Sequence, residues 1–464
     1  MRWLLSILVA ALLCSPPTLL AAEEALPRYD LRVGRKLTYT LSSEMKGDPR
    51  GGMGTHSNAG TFTVTVLREN PDGSRRVTLR SATTFTMTNQ GQTHAQPERV
   101  IVAYADVSLD GRIAPNPTIN MAIDPRSVLP LLPADAAQIP KGWSHKNDAT
   151  MEQTNYTADA KPVADTGDAG AFVFIGEQAG IMNKIYDMTS HSTFHFDRTK
   201  GCLAGVKTFL RQGYGFQMSG MGKTTLQADE TVPPAELAEL AADFDVVIAA
   251  RQEYQAVFQE LSRTPDKAQE LLDAAKARIV AHRAAATTDA GRSEFDTLLK
   301  DHDQSAKYAL DEAERAKDVI NKPAAGWTST DIDGRPTALV DYRGKVLVMD
   351  FWYRGCGWCI YAMPQVMQLA TDYAGKPVVV LGMNTDQKES DARFVIDALE
   401  LKYPTIKAEQ IPMKYGVQGF PTLIIVDKEG IVRDIHRGYS PTLRQDVAKK
   451  IDELLKEPAK VGGE

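Results

Sequence analysis

Lys345-Val346-Leu347-Val348-Met349-Asp350-Phe351-Trp352-Tyr353-Arg354-Gly355-Cys356-Gly357-Trp358-Cys359 decides how this chain is read. The first eight residues form an apolar run with little alternation, the pattern of a strand buried on both faces within a parallel sheet. Cys356 and Cys359 follow at CxxC spacing, where a helix opens. Such a pair is either half of a zinc site or a redox couple. The 464 residues hold no second CxxC and no Cys/His pair at finger spacing, so no metal is expected. The redox reading has a physical mechanism. A cysteine at a helix start lies beside unpaired backbone N–H groups and the positive end of the helix dipole. That environment stabilises a thiolate on Cys356 and makes it the attacking sulfur. Cys359, one turn further in, can resolve the mixed disulfide.

Outward from this stretch, strand and helix patterns alternate from about residue 323 to 457. Pro377-Val378-Val379-Val380-Leu381-Gly382 and Thr422-Leu423-Ile424-Ile425-Val426-Asp427 read as further buried strands. Asp427-Lys428-Glu429-Gly430 turns to Ile431-Val432-Arg433, a hairpin partner, and Asp446 to Lys456 reads as a terminal helix.

Several motifs in this region fall in a specific order. Asp333-Gly334 is followed by Tyr342-Arg343-Gly344-Lys345, and Asp350-Phe351-Trp352 precedes the CxxC. Pro364 lies five residues after Cys359, and Gly382-Met383-Asn384-Thr385-Asp386 ends the second strand. Tyr415-Gly416-Val417-Gln418-Gly419-Phe420-Pro421-Thr422 completes the set. In this order the segment resembles the thioredoxin-like proteins, specifically the extracytoplasmic TlpA/ResA-like thiol-disulfide oxidoreductases, over about residues 323–457.

The resemblance implies a thioredoxin fold, no cofactor, and protein thiols or disulfides as substrates. It implies Cys356 as nucleophile, Cys359 as resolving thiol, and Pro421 as a cis-proline, an uncommon isomer. Pro421 would lie against the disulfide and leave the backbone of Phe420 to pair with an extended substrate. Asp350 matches the family's buried carboxylate, and a desolvated Asp with a raised pKa can take the proton from Cys359. The chain also departs from the family. Ala362 stands where Glu is frequent, which leaves Asp350 as the one nearby carboxylate to name, and Gly355 stands where Trp is usual. Trp358 occupies the motif interior, where Pro is common; it is read either as an apolar docking surface or as an ordinary exposed aromatic. Residues between the cysteines tune the reduction potential, which spans roughly -270 to -120 mV in related proteins.

From Pro234 to about Lys322 Ala, Glu, Lys, Arg, Gln and Leu dominate, and apolar residues recur at helical spacing, which predicts three helices. Thr264-Pro265 reads as an N-cap with Pro at the first helical position. From about residue 27 to 232, short alternating runs broken by turn signals predict many short strands in an antiparallel sandwich or partly open barrel. Thr61 to Leu67, turned by Pro71-Asp72-Gly73 into Arg76 to Arg80, is one hairpin.

The N-terminus reads as a secretory signal over residues 1–22: Arg2, an apolar core from Trp3 to Leu13, and Ala21-Ala22 before Glu23. Lipid anchoring at Cys14 is disfavoured, because Leu13 precedes it. The mature chain is therefore expected to be periplasmic or otherwise extracytoplasmic. The apolar runs all fall short of the roughly 20 residues of a membrane helix. A net charge of -6 disfavours a nucleic-acid binder. Gly220-Met221-Gly222-Lys223-Thr224-Thr225 lacks the spacing of a P-loop, since Gln217 stands where its first Gly belongs, so no nucleotide is expected. His191, Thr193, His195 and Asp197 share one strand face but read as surface residues rather than a metal set. Cys202 reads as a small buried hydrophobe, with a role as partner of the redox pair as the alternative.

The expected chain is multidomain. A signal peptide spans 1–22, an antiparallel β-rich domain 23–232, a helical hairpin or bundle 233–322, and an α/β thioredoxin-fold domain 323–464. The first functional expectation is an extracytoplasmic thiol-disulfide oxidoreductase, with an electron donor at the membrane among its candidate partners. The alternative is an envelope binding protein whose β-rich domain holds the ligand, with the thioredoxin domain as accessory.

Overall fold

A computed structural model describes residues 26–47, 54–114, 125–147, 152–159, 171–213 and 217–457. The signal segment and Cys14 lie outside the described residues.

The N-terminal half forms a single sheet of eleven strands. β1 (Arg35–Gly47), β2 (Thr55–Glu69) and β3 (Arg75–Asn89) pair in sequence, with β4 (Gln92–Ala95) and β5 (Arg99–Val107) both on β3. β6 (Trp143–Asn147), β7 (Glu152–Ala158), β8 (Ala171–Ala179), β9 (Thr189–Asp197) and β10 (Cys202–Gln212) continue the meander, and β11 (Met218–Thr231) returns beside β1. Among the described residues the edge strands β4 and β6 do not pair, so the strands form one open sheet rather than the two of a sandwich, as the partly open alternative allows. Its strands are also longer than the turn signals suggest, with 15 residues in each of β2 and β3. Several glycines lie inside strands instead of in turns. A Cβ on Gly220 would come within 1.8 Å of the Glu44 carbonyl of β1, so a bare backbone is required there. The Gly220–Thr225 stretch thus belongs to β11. Leu37, Tyr39, Phe62, Val64 and Val66 alternate inward on β1 and β2, and join Trp143, Phe174, Phe196 and Leu203 in one apolar cluster.

Between β8 and β9 the chain makes one short helix, α1 (Ile181–Tyr186). Three helices follow the sheet: α2 (Pro234–Arg263), α3 (Ala268–Ala285) and α4 (Asp289–Lys317). Pro at N1 starts α2. Thr264 does not cap α3: its hydroxyl donates backward to the Glu260 carbonyl at 3.1 Å, and a 3-10 turn at Pro265–Lys267 intervenes. Thr288 caps α4, accepting from the Gly291 N–H at 3.0 Å. The helices bridge the two sheets. Leu237 and Phe244 of α2 pack on Leu67 and Val102 of the N-terminal sheet, while Arg263 at its other end pairs with Asp434.

The C-terminal region is a five-stranded sheet in the order β16-β15-β14-β17-β18. β14 (Val346–Trp352), β15 (Val378–Asn384) and β16 (Thr405–Lys407) are parallel; β17 (Thr422–Val426) and β18 (Val432–Arg437) run antiparallel. A two-stranded hairpin, β12 (Thr328–Thr330) and β13 (Pro336–Ala338), precedes them. Helices α5 (Gly357–Asp372), α6 (Glu389–Leu399), α7 (Ile411–Lys414) and α8 (Leu443–Lys456) complete the region. Every residue of β14 is buried, as its apolar run predicts. The C-terminal region has a thioredoxin-like fold.

Candidate active site

Strand β14 delivers the site. It carries one ionisable residue into the core, Asp350, flanked by Gly382 of β15 and Leu423 of β17. Asp350 is fully buried, and the Tyr403 hydroxyl donates to its Oδ2 at 3.2 Å. Burial pushes the Asp350 carboxyl up to about 7, against the opposing pull of the Tyr403 hydrogen bond.

After Trp352 the chain leaves the sheet through Tyr353-Arg354-Gly355 and enters α5. Cys356 is the N-cap of α5, and its Sγ accepts the Cys359 backbone N–H at 3.1 Å. Sulfur thus takes the place of the usual capping oxygen at the positive end of a 16-residue helix. Cys356 and Cys359 form a disulfide with a Cα–Cα distance of 5.2 Å. Pro364 lies inside α5, and Ala362 is buried on the face packed toward α8. The Phe420–Pro421 peptide bond is cis. Phe420 packs against the cluster that holds both cysteines, and its ring meets Tyr353 edge-on at 5.3 Å. Trp358 is 49% exposed and stacks on Tyr439 at 5.7 Å, with Tyr361 beside it at 5.9 Å. The structure therefore brings Cys356, Cys359, Phe420, Pro421 and Trp358 to one end of the sheet, and sets Asp350 in the strand beneath.

Three features lie outside the motif set. Tyr403, before β16, is the buried partner of Asp350, and no local pattern marks it. Asp386 is a second carboxylate near the cysteines, so Asp350 does not stand alone there. Asp386 accepts the Arg354 N–H at 3.0 and 3.2 Å, and burial raises its pKa. It lies in the Gly382–Asp386 segment already singled out. The third is α1 (Ile181–Tyr186), from the other half of the chain. Ile181, Ile185 and Tyr186 share one apolar cluster with Trp352, Cys356 and Cys359. The Tyr186 hydroxyl donates to the Arg354 carbonyl at 2.9 Å.

On the other side of the cis-proline lies a cavity of about 470 Å³. Phe258 of α2, Tyr308 and Ala309 of α4, Phe420, His436 and Tyr439 are among its lining. Its charged walls are paired internally: Arg263 with Asp434 at 3.0 Å, and Arg437 with Glu312 at 2.6 Å.

Cys202 lies at the centre of the N-terminal cluster, fully buried, and burial pushes its thiol up to about 11. It is a core residue with little thiolate at neutral pH. Asp197 is committed to its own turn, accepting from the N–H groups of Thr199 and Lys200 at 2.9 Å. Among the described residues no group of three His, Cys, Asp or Glu side chains is placed to hold a metal ion.

The redoxin family model matches residues 313–451. Over 124 residues the chain is 31% identical to thioredoxin-like protein YneN of Bacillus subtilis, covering 26% of this chain and 72% of that one. Over 122 residues it is 30% identical to thiol-disulfide oxidoreductase ResA of Bacillus anthracis, covering 26% of this chain and 70% of the relative. The chain belongs to the thioredoxin-like thiol-disulfide oxidoreductases. Among solved structures it is similar to the thioredoxin domain of a thiol-disulfide oxidoreductase from Bacteroides vulgatus. That match is 25% identical, covers 29% of this chain and 98% of the domain, and has a TM-score of 0.27. The residues matched by the redoxin model include both cysteines of the disulfide. Among the described residues no helix is long and apolar enough to cross a membrane.

Proposed function

We propose that this oxidoreductase exchanges disulfides with protein substrates outside the cytoplasm through the Cys356-Gly357-Trp358-Cys359 motif. In the reducing direction the Cys356 thiolate attacks a client disulfide, forms a mixed disulfide and releases one client thiolate, which takes up a proton. The Cys359 thiol gives its proton to Asp350 and attacks Cys356 Sγ, breaking the mixed disulfide and releasing the second client sulfur as a thiolate, to which the proton held by Asp350 is returned. Two electrons pass to the client, and the Cys356–Cys359 disulfide forms. A dithiol donor then restores the pair; an electron carrier at the membrane is the candidate. Run backward, the same steps oxidise a client dithiol.

One observation carries this reading: a disulfide capping the N-terminus of α5 beside a strand whose single carboxylate is fully buried. A carboxyl titrating near neutral pH is suited to accept and return a proton under working conditions. Phe420 and Pro421 would form the substrate-facing loop, and Trp358 with Tyr439 an apolar rim. The extracytoplasmic placement rests on the signal read at residues 1–22, and the domain partition on the three compositional regimes. The packing of α1 against the cysteines favours this enzyme over a β-rich binding protein with an accessory redox domain.

The test is a redox titration of the full chain in graded thiol/disulfide buffers, acid-quenched, alkylated and read at each cysteine by peptide mass. A reversible Cys356–Cys359 couple is expected, with Cys202 unchanged. Cys356→Ser should abolish exchange with a protein disulfide. Absence of a reversible couple, or exchange that survives Cys356→Ser, would overturn the proposal.

A further inference from the structure

The CxxC rim has two unlike sides. On the Cys356 side lies α1, contributed by the N-terminal sheet. A Cβ on Gly357, within the motif, would meet Met182 Cε at 3.7 Å and the Tyr186 hydroxyl at 3.9 Å. Tyr186 also holds the Arg354 carbonyl two residues before Cys356. The underside of α1 is seated on α6, with Ile181 and Ile185 buried against Ala392, Val395 and Leu399. Cys356, in the same cluster as Ile181, Ile185 and Tyr186, is only 7% exposed. A nucleophilic sulfur needs in-line access to the disulfide it attacks. A broad protein surface laid across the rim would meet α1 first.

On the cis-proline side the rim opens into the cleft walled by α2 and α4. Two of its lining residues border the redox pair: Phe420 packs against the cluster that holds both cysteines, and Tyr439 stacks on Trp358. Its guanidinium and carboxylate groups face one another, Arg263 with Asp434 and both Arg437 and Arg315 with Glu312, while Phe258, Leu261, Ala309, Ala313, Phe420 and Ile435 give the lining its apolar surface. Such a surface suits an uncharged, apolar side chain, and a volume of about 470 Å³ takes a short length of extended chain.

We propose that α1 is a specificity element: it bars folded protein surfaces from Cys356 and leaves the pair to extended, cysteine-bearing segments whose apolar side chains lie in the α2/α4 cleft. This names the substrate class for the exchange reaction proposed above, and it rests on that reading. Met182 and Tyr186 act by exclusion and take no part in the sulfur chemistry.

The test compares three disulfides offered to the reduced full chain: oxidised glutathione, an unstructured peptide with one disulfide flanked by Leu and Phe, and a folded protein with one surface disulfide. The peptide is expected to react at least tenfold faster than the folded protein. In Met182→Ala/Tyr186→Ala the folded-protein rate, taken relative to oxidised glutathione, should rise at least fivefold. Gln255 is exposed on α2 and lines the cleft. Gln255→Trp should slow the peptide at least fivefold relative to oxidised glutathione, and it does not depend on α1 folding correctly. Equal rates for peptide and folded protein in the native chain, or ratios unmoved by both variants, would overturn the proposal. Failure of oxidised glutathione to oxidise the pair at all would instead overturn the exchange reading itself, and this proposal with it.

Discussion

Asp350→Asn should make the protein more stable, and by an amount that grows with pH. The carboxyl titrates at about 7 in the folded chain and at about 3.9 when unfolded. The folded state therefore holds a proton that the unfolded state has lost between about pH 4 and 7, and stability falls as pH rises through that window. Above pH 7 both states are ionised and the folded chain bears the whole cost. About three pH units at about 1.36 kcal/mol each is about 4 kcal/mol. At pH 5 only about one unit of the window has been crossed, so the cost is about 1.5 kcal/mol. Asparagine has the same shape, keeps an oxygen to accept the Tyr403 hydroxyl, and carries no charge. Its advantage should rise by about 2.5 kcal/mol between pH 5 and pH 8.5. The assay is urea unfolding of the oxidised form at both pH values, followed by tryptophan fluorescence. Oxidation keeps both cysteines from titrating, and the lowered pKa of buried His436 contributes equally to both proteins. An advantage that is flat with pH, or a variant less stable than the parent at pH 8.5, would refute the reasoning.

Four further outcomes are expected. Cys359→Ser should accumulate the mixed disulfide between Cys356 and a protein client, seen as a reducible adduct on a non-reducing gel; its absence would argue against Cys359 as the resolving thiol. Tyr403→Phe removes the hydrogen bond that favours ionised Asp350, so the pH at which exchange reaches half its maximal rate should move upward in a rate–pH profile. Arg263→Ala leaves the buried Asp434 carboxylate without its guanidinium and should cost about 3 kcal/mol in urea unfolding. Gly220→Ala would force a Cβ onto the Glu44 carbonyl and should cost about 1–3 kcal/mol, read by thermal unfolding followed by circular dichroism.

What was legible in the sequence was what short-range pattern encodes. The continuous apolar run of β14 marks a strand covered on both faces, and a CxxC directly after it can stand only at the start of α5. The places of Pro364 and Pro421 were legible through the resemblance to the thioredoxin-like proteins, Pro364 five residues after Cys359 and Pro421 within Tyr415–Thr422. In the N-terminal half a residue without Cβ serves both a turn and the close approach of two strands. At Gly220 the second use applies, in a stretch whose surroundings already read as strand. Thr264 misled for a related reason. Its hydroxyl can cap the next helix or return to the previous one, and the choice is made by the 3-10 turn that follows. Tyr403 has no local signal: its role depends on a chain reversal after α6 that sets its hydroxyl against a carboxylate 53 residues earlier.

The α1 contact shows why the N-terminal half was the least legible part. Ile181-Met182-Asn183-Lys184-Ile185-Tyr186 is six residues, too short for helical periodicity to stand out, and it interrupts a strand meander. Its apolar side chains look like any edge-of-sheet hydrophobes. They acquire meaning only in the folded chain, where α2 spans from the N-terminal sheet to the C-terminal one. Phe244 anchors α2 at one end and the Arg263–Asp434 pair at the other. In that arrangement α1 packs against Cys356 and the cleft lies beside Phe420. A chain with the same C-terminal region but no such brace would present its disulfide on an open rim. The three regimes of this sequence therefore converge on one sulfur atom: the C-terminal sheet delivers it, the N-terminal sheet covers it, and the helices between them set how it is approached.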